Sequence, residues 1–274
     1  MLANRNQPGQ AIYKKGSHVP AIALIAVAIL LIQCSTTRVS RDFGSEGKLK
    51  QVKVFHRDNP VSRYELSYDK KSRLTRIDHY TGKGDESDAI HRFYYDRANR
   101  LKLHWYKGEH SIGGKQVQDE WVESFIFNRA GNLIRTEISY KKPYSIKQSQ
   151  TPLLKTSYQY RQNLLEEIIL DGGRYAFTKR AVLNYDDDSL EAIEYTRKTY
   201  RWKEKKEILT RHITFYMDGI EPYKYRNRMT GETTGNDDLV EKEFMAEGIW
   251  MALQTPDYAA DPDKYINVLI AQYR

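Results

Sequence analysis

Cysteine is the most reactive side chain in this sequence, and the chain has one copy of it, Cys34. A lone thiol cannot close an intramolecular disulfide, so it can act only as a single nucleophile or a single attachment point. The thiol follows an unbroken apolar segment, residues 19–32, and the residues before that segment include Arg5, Lys14 and Lys15 but no acidic side chain. This order of basic and apolar segments is typical of an export signal. As a helix, the apolar segment would reach about 21 Å, short of a bilayer core of about 30 Å, and is therefore a poor permanent span.

Leu31-Ile32-Gln33-Cys34 resembles the lipobox of bacterial lipoproteins. The resemblance implies that the Cys34 thiol takes a diacylglycerol, that a peptidase cleaves between Gln33 and Cys34, and that the new amine is acylated, for example with palmitate. Gln33 departs from the usual Gly or Ala, a departure known from the looser lipoboxes of spirochaetal lipoproteins. The resemblance implies a lipid-anchored protein of the cell envelope, in the outer membrane. An uncleaved anchor and a buried core cysteine are the alternatives.

No other group of residues indicates a reaction. His104 and His110, with Glu109, come nearest to a metal cluster, but His104 lies between Leu103 and Trp105, and this alternation predicts that it faces the polar side of a strand. The three aspartates at 186–188 suit a turn better than a Ca²⁺ site. No nucleotide-binding or hydrolase motif is present. We therefore predict no metal, no cofactor and no enzymatic activity.

The chain is basic, with a formal net charge of +8. Removal of residues 1–33 takes away three basic residues and no acidic residue, so the net charge falls to +5. Such a surface suits lipid head groups or acidic glycans, but no basic run is long enough to predict nucleic-acid binding. The densest basic patch, residues 197–206, is typical of a solvated hairpin tip. Tryptophan and tyrosine side chains could stack on sugars if exposed, although most are expected in the core.

A repeated pattern predicts the architecture. Aromatic residues at i and i+2 are followed by Asp or Asn and then by a leucine that begins a return strand. Five units share this form: Tyr64 to Leu74, Phe93 to Leu101, Phe125 to Leu133, Tyr158 to Leu165 and Leu183 to Leu190. They resemble the YD-type repeats of large bacterial surface and toxin-delivery proteins, with Arg73-Leu74 and Arg100-Leu101 matching the Arg-Leu of that repeat. Ordinary hairpins that share turn chemistry are the alternative.

The sequence thus predicts a mainly β protein, an antiparallel β-meander of successive hairpins in a single curved sheet or open barrel, with a small C-terminal helical segment. We expect a signal peptide at 1–33, a flexible tether at 34–50, the meander at 51–230 and helices packed on the sheet at 231–274. Gly219 and Pro222 are expected to break the meander. Helices are predicted over 239–253, capped by Asp238 with Glu241, and over 261–273.

Two functions follow from this organisation. The first is a lipid-anchored binding or structural module that displays a Tyr- and Lys-rich face to a host protein, a glycan or another envelope component. The second is an envelope carrier that holds an apolar ligand between the sheet and the C-terminal helices. An exposed polar second face favours the first function, whereas a continuous apolar cavity of roughly 300 to 1,000 Å³ favours the second.

Overall fold

The structure is a computed structural model that describes residues 37–82, 84, 86–112, 115–140, 153–173, 176–201, 204 and 206–271. The expected signal peptide, its cleavage position after Gln33 and the lipid attachment residue Cys34 lie outside these residues. None of the helices within them has the length and hydrophobicity needed to cross a bilayer.

The described residues form one antiparallel sheet in which strands pair in chain order, from the first to the fifteenth. The strands are β1 (Thr37–Phe43), β2 (Leu49–His56), β3 (Asn59–Tyr68), β4 (Leu74–Thr81), β5 (Ala89–Tyr95), β6 (Leu101–Ile112), β7 (Lys115–Phe127), β8 (Leu133–Tyr140), β9 (Leu154–Arg161), β10 (Leu164–Asp171), β11 (Phe177–Asp186), β12 (Ser189–Arg201), β13 (Lys206–Asp218), β14 (Glu221–Asn227) and β15 (Thr233–Thr234). The predicted antiparallel meander is therefore confirmed, as a sheet that does not close on itself.

The C-terminal segment is helical, as predicted. It contains α1 (Asp237–Ala246), α2 (Ile249–Ala260), a 3₁₀ turn (Pro262–Lys264) and α3 (Tyr265–Ala271). The prediction of a single helix over 239–253 is wrong, because Gly248 adopts φ +73° and separates α1 from α2. The predicted cap is also wrong: Asn236 caps α1, and its Oδ1 accepts from the Leu239 backbone N–H at 3.2 Å.

Two boundaries differ from the sequence predictions. Residues 37–43 form β1 and pair with β2 instead of belonging to a flexible tether, because the β-branched Thr37 and Val39 favour a strand even where most side chains are exposed. Gly219 and Pro222 do not end the meander. Gly219 takes φ +61° in the two-residue turn that joins β13 to β14, and Pro222 lies next to that turn, so the sheet continues to β15.

The helices cover one face of the sheet and form the core with it. Phe244 of α1 packs on Phe215 with ring centroids 5.1 Å apart, and Tyr258 of α2 packs on Phe125 at 6.0 Å. Tyr265 of α3 reaches Phe93 at 5.5 Å. We call this side of the sheet the helix-covered face and the opposite side the outer face.

A β-bulge follows the leucine that begins the return strand in all five repeat units. The extra residue shifts the alternation of side chains, so a buried side chain lies three residues after the leucine in every unit. In the unit of Leu165, Glu167 is buried as well. The resulting pairs of buried or core-packed residues are Leu74 with Ile77, Leu101 with His104, Leu133 with Thr136, Leu165 with Ile168 and Leu190 with Ile193. The bulge is thus a structural part of the repeat.

Aromatic residues at the ends of the strands also connect neighbouring units. Three tyrosine hydroxyls donate to the carbonyl of the leucine at or near the start of the preceding strand: Tyr68 to Leu49 at 2.9 Å, Tyr95 to Leu74 at 2.5 Å and Tyr185 to Leu165 at 2.9 Å. Tyr68, Tyr95, Phe127 and Tyr185 occupy equivalent positions near the ends of their strands, and all four are partly buried and pack against the core.

The turns repeat a hydrogen bond as well. The turn side chain accepts from the backbone N–H four residues later in three units: Arg73 to Asp69 at 3.0 Å, Arg100 to Asp96 at 2.9 Å and Asn132 to Asn128 at 2.9 Å. The arginine then stacks on the next aromatic end, with Arg73 at 4.4 Å from the Tyr95 ring and Arg100 at 5.0 Å from the Phe127 ring.

Candidate functional site

The centre of the helix-covered face contains buried polar side chains. His104, Thr136 and Glu123 are almost fully buried there, and His104 is 0 % exposed. The prediction that His104 faces the polar side of its strand is wrong, because the bulge after Leu101 turns Leu103 outward and His104 inward. His104 and Thr136 occupy the repeat position that holds isoleucine at 77, 168 and 193. We call His91, His104, Glu123, Thr136 and Tyr258 the buried polar cluster.

Hydrogen bonds connect most of this cluster. His91 Nδ1 lies 2.9 Å from His104 Nε2, and the Tyr258 hydroxyl donates to Glu123 Oε2 at 3.3 Å. His104 Nδ1 lies 3.7 Å from Glu123 Oε2, which is too far for a hydrogen bond, and it has no partner among the described residues. Tyr265 covers His104 with a ring distance of 4.7 Å.

Burial shifts the pKa values in this cluster toward the uncharged forms of the side chains. Burial raises the pKa of Glu123 to about 7, although hydrogen bonds from Tyr258 and Thr136 oppose that rise. Burial lowers the pKa of His104 to about 3. The pKa of His91 is also lowered by burial and by the neighbouring histidines. With His91, His104 and Glu123 all below a tenth exposed, a substrate could reach them only if the helices moved away. The cluster is therefore a structural contact between the sheet and the helices, which the Tyr258–Glu123 hydrogen bond connects.

A second polar network lies where α1 meets α2. Lys179 Nζ donates to the Glu247 carbonyl at 2.7 Å, and the Tyr195 hydroxyl donates to the Glu247 carboxylate. Arg211 lies 3.5 Å from the same carboxylate and also pairs with Glu243. The cavity beside this network has a volume of about 20 Å³, enough for about one water molecule. The sheet and helices are therefore closely packed here.

The outer face is polar, and many of its charges are paired. Arg63 alternates with the buried Tyr64 and stacks on Tyr80 at 4.1 Å. Arg92 stacks on Trp105 at 5.1 Å, and Trp105 Nε1 donates to Glu120 at 2.9 Å. An exposed polar second face is the feature that favours a binding module over a carrier.

A groove opens between the β13–β14 hairpin and the helices. Its volume is about 710 Å³, within the range of ligand sites. Six lining residues are apolar or aromatic: Ile220, Pro222, Tyr223, Phe244, Met245 and Trp250. Four are acidic: Asp218, Glu221, Asp237 and Glu241. No lysine, arginine or histidine lines this groove among the described residues. We call it the acidic groove.

Two pairs of like charges border the acidic groove. Asp218 and Glu221 lie directly opposite each other across the β13–β14 hairpin, and Asp237 and Glu241 are one helical turn apart on α1. Like charges in both positions destabilise the folded state. The positive end of the α1 dipole favours Asp237 in the first turn but not Glu241. In the described part of the chain, none of the four carboxylates forms an ion pair.

The candidate site residues predicted from the sequence do not line the acidic groove. Cys34 and Gln33 are outside the described residues, and so is the His110 side chain. Asp186 to Asp188 make the turn between β11 and β12, as turn chemistry predicts. The described residues contain no group of acidic, histidine or cysteine side chains arranged to hold a metal ion. Sequence reasoning missed the acidic groove, although the motif Asp218-Gly219-Ile220-Glu221 shows two acids flanking a two-residue turn.

Comparisons with known proteins give little further information. No family model matches the chain, and no curated protein matches it. Among solved structures, a porin-like protein from Bacteroides uniformis is 15 % identical, with a TM-score of 0.23; the match covers 57 % of this chain and 58 % of that one. A protein of unknown function from Bacteroides fragilis is 9 % identical, with a TM-score of 0.18, over 66 % of this chain and 94 % of that one. At these TM-scores the likenesses support no conclusion about function.

Proposed function

We propose that this protein is a lipid-anchored binding module of the cell envelope, held in the outer membrane through Cys34. The observation that supports a binding role is the acidic groove, an open site lined by apolar and acidic side chains, whose four carboxylates form no ion pair with the described residues. The anchor is supported by the basic and apolar leader that ends at Leu31-Ile32-Gln33-Cys34. Two or three acyl chains would hold the protein firmly, since each buried CH₂ contributes roughly 0.8 kcal/mol.

A carrier for an apolar ligand is the weaker candidate. At the centre of the sheet, Tyr258 and Tyr265 pack on its side chains and leave no room for a ligand there. The cavity under the junction of α1 and α2 holds about 20 Å³. The large groove between sheet and helices is charged along its border, so a wholly apolar ligand would have to desolvate carboxylates in order to fill it.

The position of the first strand fits a lipid anchor at Cys34. β1 begins three residues after Cys34, so the lipid would hold the first edge of the sheet close to the bilayer surface. The hairpin that borders the acidic groove starts at β13, twelve strand positions along the sheet. The helices also connect the groove to the first edge, because Asn267 lines the groove and Asp263, four residues earlier, bonds Lys48.

Replacement of the thiol tests the anchor. Cys34→Ala should incorporate no labelled fatty acid and should leave the detergent phase on partition, while Ser35→Ala should behave like the parent protein. Protease added to intact cells would then distinguish a surface location from a periplasmic one. A Cys34→Ala protein that still incorporates fatty acid and partitions into detergent would exclude lipid attachment at this residue.

A further inference from the structure

The acidic groove combines apolar surface with carboxylates that form no ion pair within the described part of the chain. Ile220 is 63 % exposed at the tip of the β13–β14 turn, and Tyr223 is 51 % exposed on the strand that follows. A turn position normally holds a polar or small residue. Here a large aliphatic side chain at the hairpin tip and an exposed tyrosine add apolar surface to the lining of one groove. The apolar part of the groove therefore suits an apolar anchor from a partner.

The carboxylates occupy positions where they reduce the stability of this fold. Asp218 faces Glu221, and Asp237 lies one helical turn before Glu241. The two carboxylates on each side of the groove therefore repel each other. The chain as a whole has an excess of basic residues, and nearby acids such as Glu243 and Glu247 are paired with Arg211. Cationic groups on a ligand would relieve both repulsions.

The spacing of the acids selects among cationic ligands. In the described residues, no three acidic groups come together closely enough to hold a metal ion. One pair lies on the hairpin and the other on α1, with apolar residues completing the lining. Separate cationic groups joined by an apolar body match this arrangement better than one compact ion does.

We infer that the acidic groove binds a cationic amphipathic peptide segment, one that presents lysine or arginine on either side of an aliphatic or aromatic side chain. This inference rests on the proposed binding role, but it does not depend on the lipid anchor. The partner is a peptide and not a membrane, because the acidic border repels anionic lipid head groups.

Peptide titration tests the inference. A fluorescein-labelled Lys-Leu-Lys-Phe-Lys-Leu peptide is titrated with the full-length protein in phosphatidylcholine nanodiscs, and empty nanodiscs give the background. The double variant D218N/E221Q should bind about tenfold more weakly, and E241Q, on the other side, should weaken binding by about threefold. E86Q/E207Q removes two exposed charges elsewhere and should stay within about twofold of the parent. Replacing the lysines with glutamate, or the apolar residues with serine, should abolish binding.

A stability measurement separates recognition from a structural role. D218N/E221Q should unfold at the same or a higher denaturant concentration than the parent, because the variant removes a repulsion. Equal peptide affinity in the parent and in both groove variants would overturn the inference, and so would an equal loss in E86Q/E207Q. Self-association that the groove variants abolish, without peptide binding, would assign the groove to a second copy instead. These outcomes are independent of fatty-acid labelling at Cys34, so the anchor and the ligand can fail separately.

Discussion

The Tyr95 hydroxyl donates a hydrogen bond to the Leu74 carbonyl oxygen at 2.5 Å, which joins the end of β5 to the start of β4. The same tyrosine ring receives the Arg73 guanidinium at 4.4 Å. Because Tyr68 and Tyr185 make the equivalent hydrogen bonds, three of the hairpins are fixed to the strand before them by more than the backbone pairing.

Tyr95→Phe tests this contact. The variant keeps the ring and its arginine and loses one hydrogen bond, so unfolding in urea should require about 1 kcal/mol less free energy. Tyr94→Phe is the matched control, because the Tyr94 side chain is 46 % exposed, and it should change stability by less than about 0.5 kcal/mol. Equal effects in the two variants would show that the hydroxyl contact adds nothing.

Asp96→Ala tests the repeated turn. Asp96 Oδ1 accepts from the backbone N–H groups of Ala98 and Arg100 at 2.8 and 2.9 Å, and Oδ2 accepts from Arg100 Nε. Loss of these bonds should cost about 1 to 2 kcal/mol in a chemical denaturation experiment. Arg97→Ala, at an exposed position of the same turn, should cost under about 0.5 kcal/mol. Asp96→Asn should retain part of the stability, since Asn128 serves in the corresponding turn.

Glu123 should give the protein a measurable pH dependence. Its usual pKa of 4.5 is raised by burial to about 7, so between these values the folded state holds a proton that the unfolded state has lost. The contribution of Glu123 to stability therefore falls as pH rises through this window. Relative to the parent, Glu123→Gln should gain about 3 kcal/mol between pH 4.5 and pH 7.5.

Neighbouring groups define the control for that experiment. Burial lowers the pKa of His104 to about 3, and this makes the parent more stable as pH rises from about 3 to about 6.5, in the opposite direction. Because His104 is present in both proteins, the difference in unfolding free energy between Glu123→Gln and the parent reports the contribution of Glu123. Exposed Glu207→Gln should show a flat difference over the same range. A flat difference for Glu123→Gln would mean that the folded protein does not raise the pKa of this carboxyl group.

Tyr265→Ala tests the attachment of α3 to the sheet. The ring is 5 % exposed and contacts His104 at 4.7 Å and Tyr258 at 5.1 Å. Its loss should cost about 3 to 5 kcal/mol, and water admitted to His104 should raise the pKa of that histidine toward its usual value. Thermal unfolding and an NMR titration of the histidine ring measure the two effects. Asn267→Ala, on the exposed side of α3, should change neither.

The hairpins were predictable from sequence because their turn chemistry is local. Asp69 and Asp96 each precede a return strand that starts with leucine, and both make the expected turn contacts. The inward position of His104 was not predictable from strict alternation. The bulge after Leu101 shifts the pattern by one residue, and backbone pairing, not residue type, reveals the shift. Once the bulge is recognised, leucine followed three residues later by a buried residue becomes a usable signal for the repeat.

The acidic groove was hidden for a different reason. Asp218 and Glu221 are near each other in sequence, but Asp237 and Glu241 reach the groove only because α1 packs on β14. A site made by two elements that meet across a turn has no fixed spacing in the chain. The lipid attachment at Cys34 remains a prediction from sequence.

The chain-order pairing of the strands has a consequence for how this protein folds and how its length can change. Each strand contacts its sequence neighbours, so the sheet has low contact order, and a whole hairpin could be inserted or deleted without altering the pairing of the others. The helical segment imposes the opposite constraint, because Lys48 Nζ near the first edge bonds Asp263 Oδ2 at 3.3 Å, 215 residues away. We therefore expect the hairpins to form early and independently during folding, and the helices to dock last. Once docked, the helices should make the hairpins unfold together in one cooperative transition.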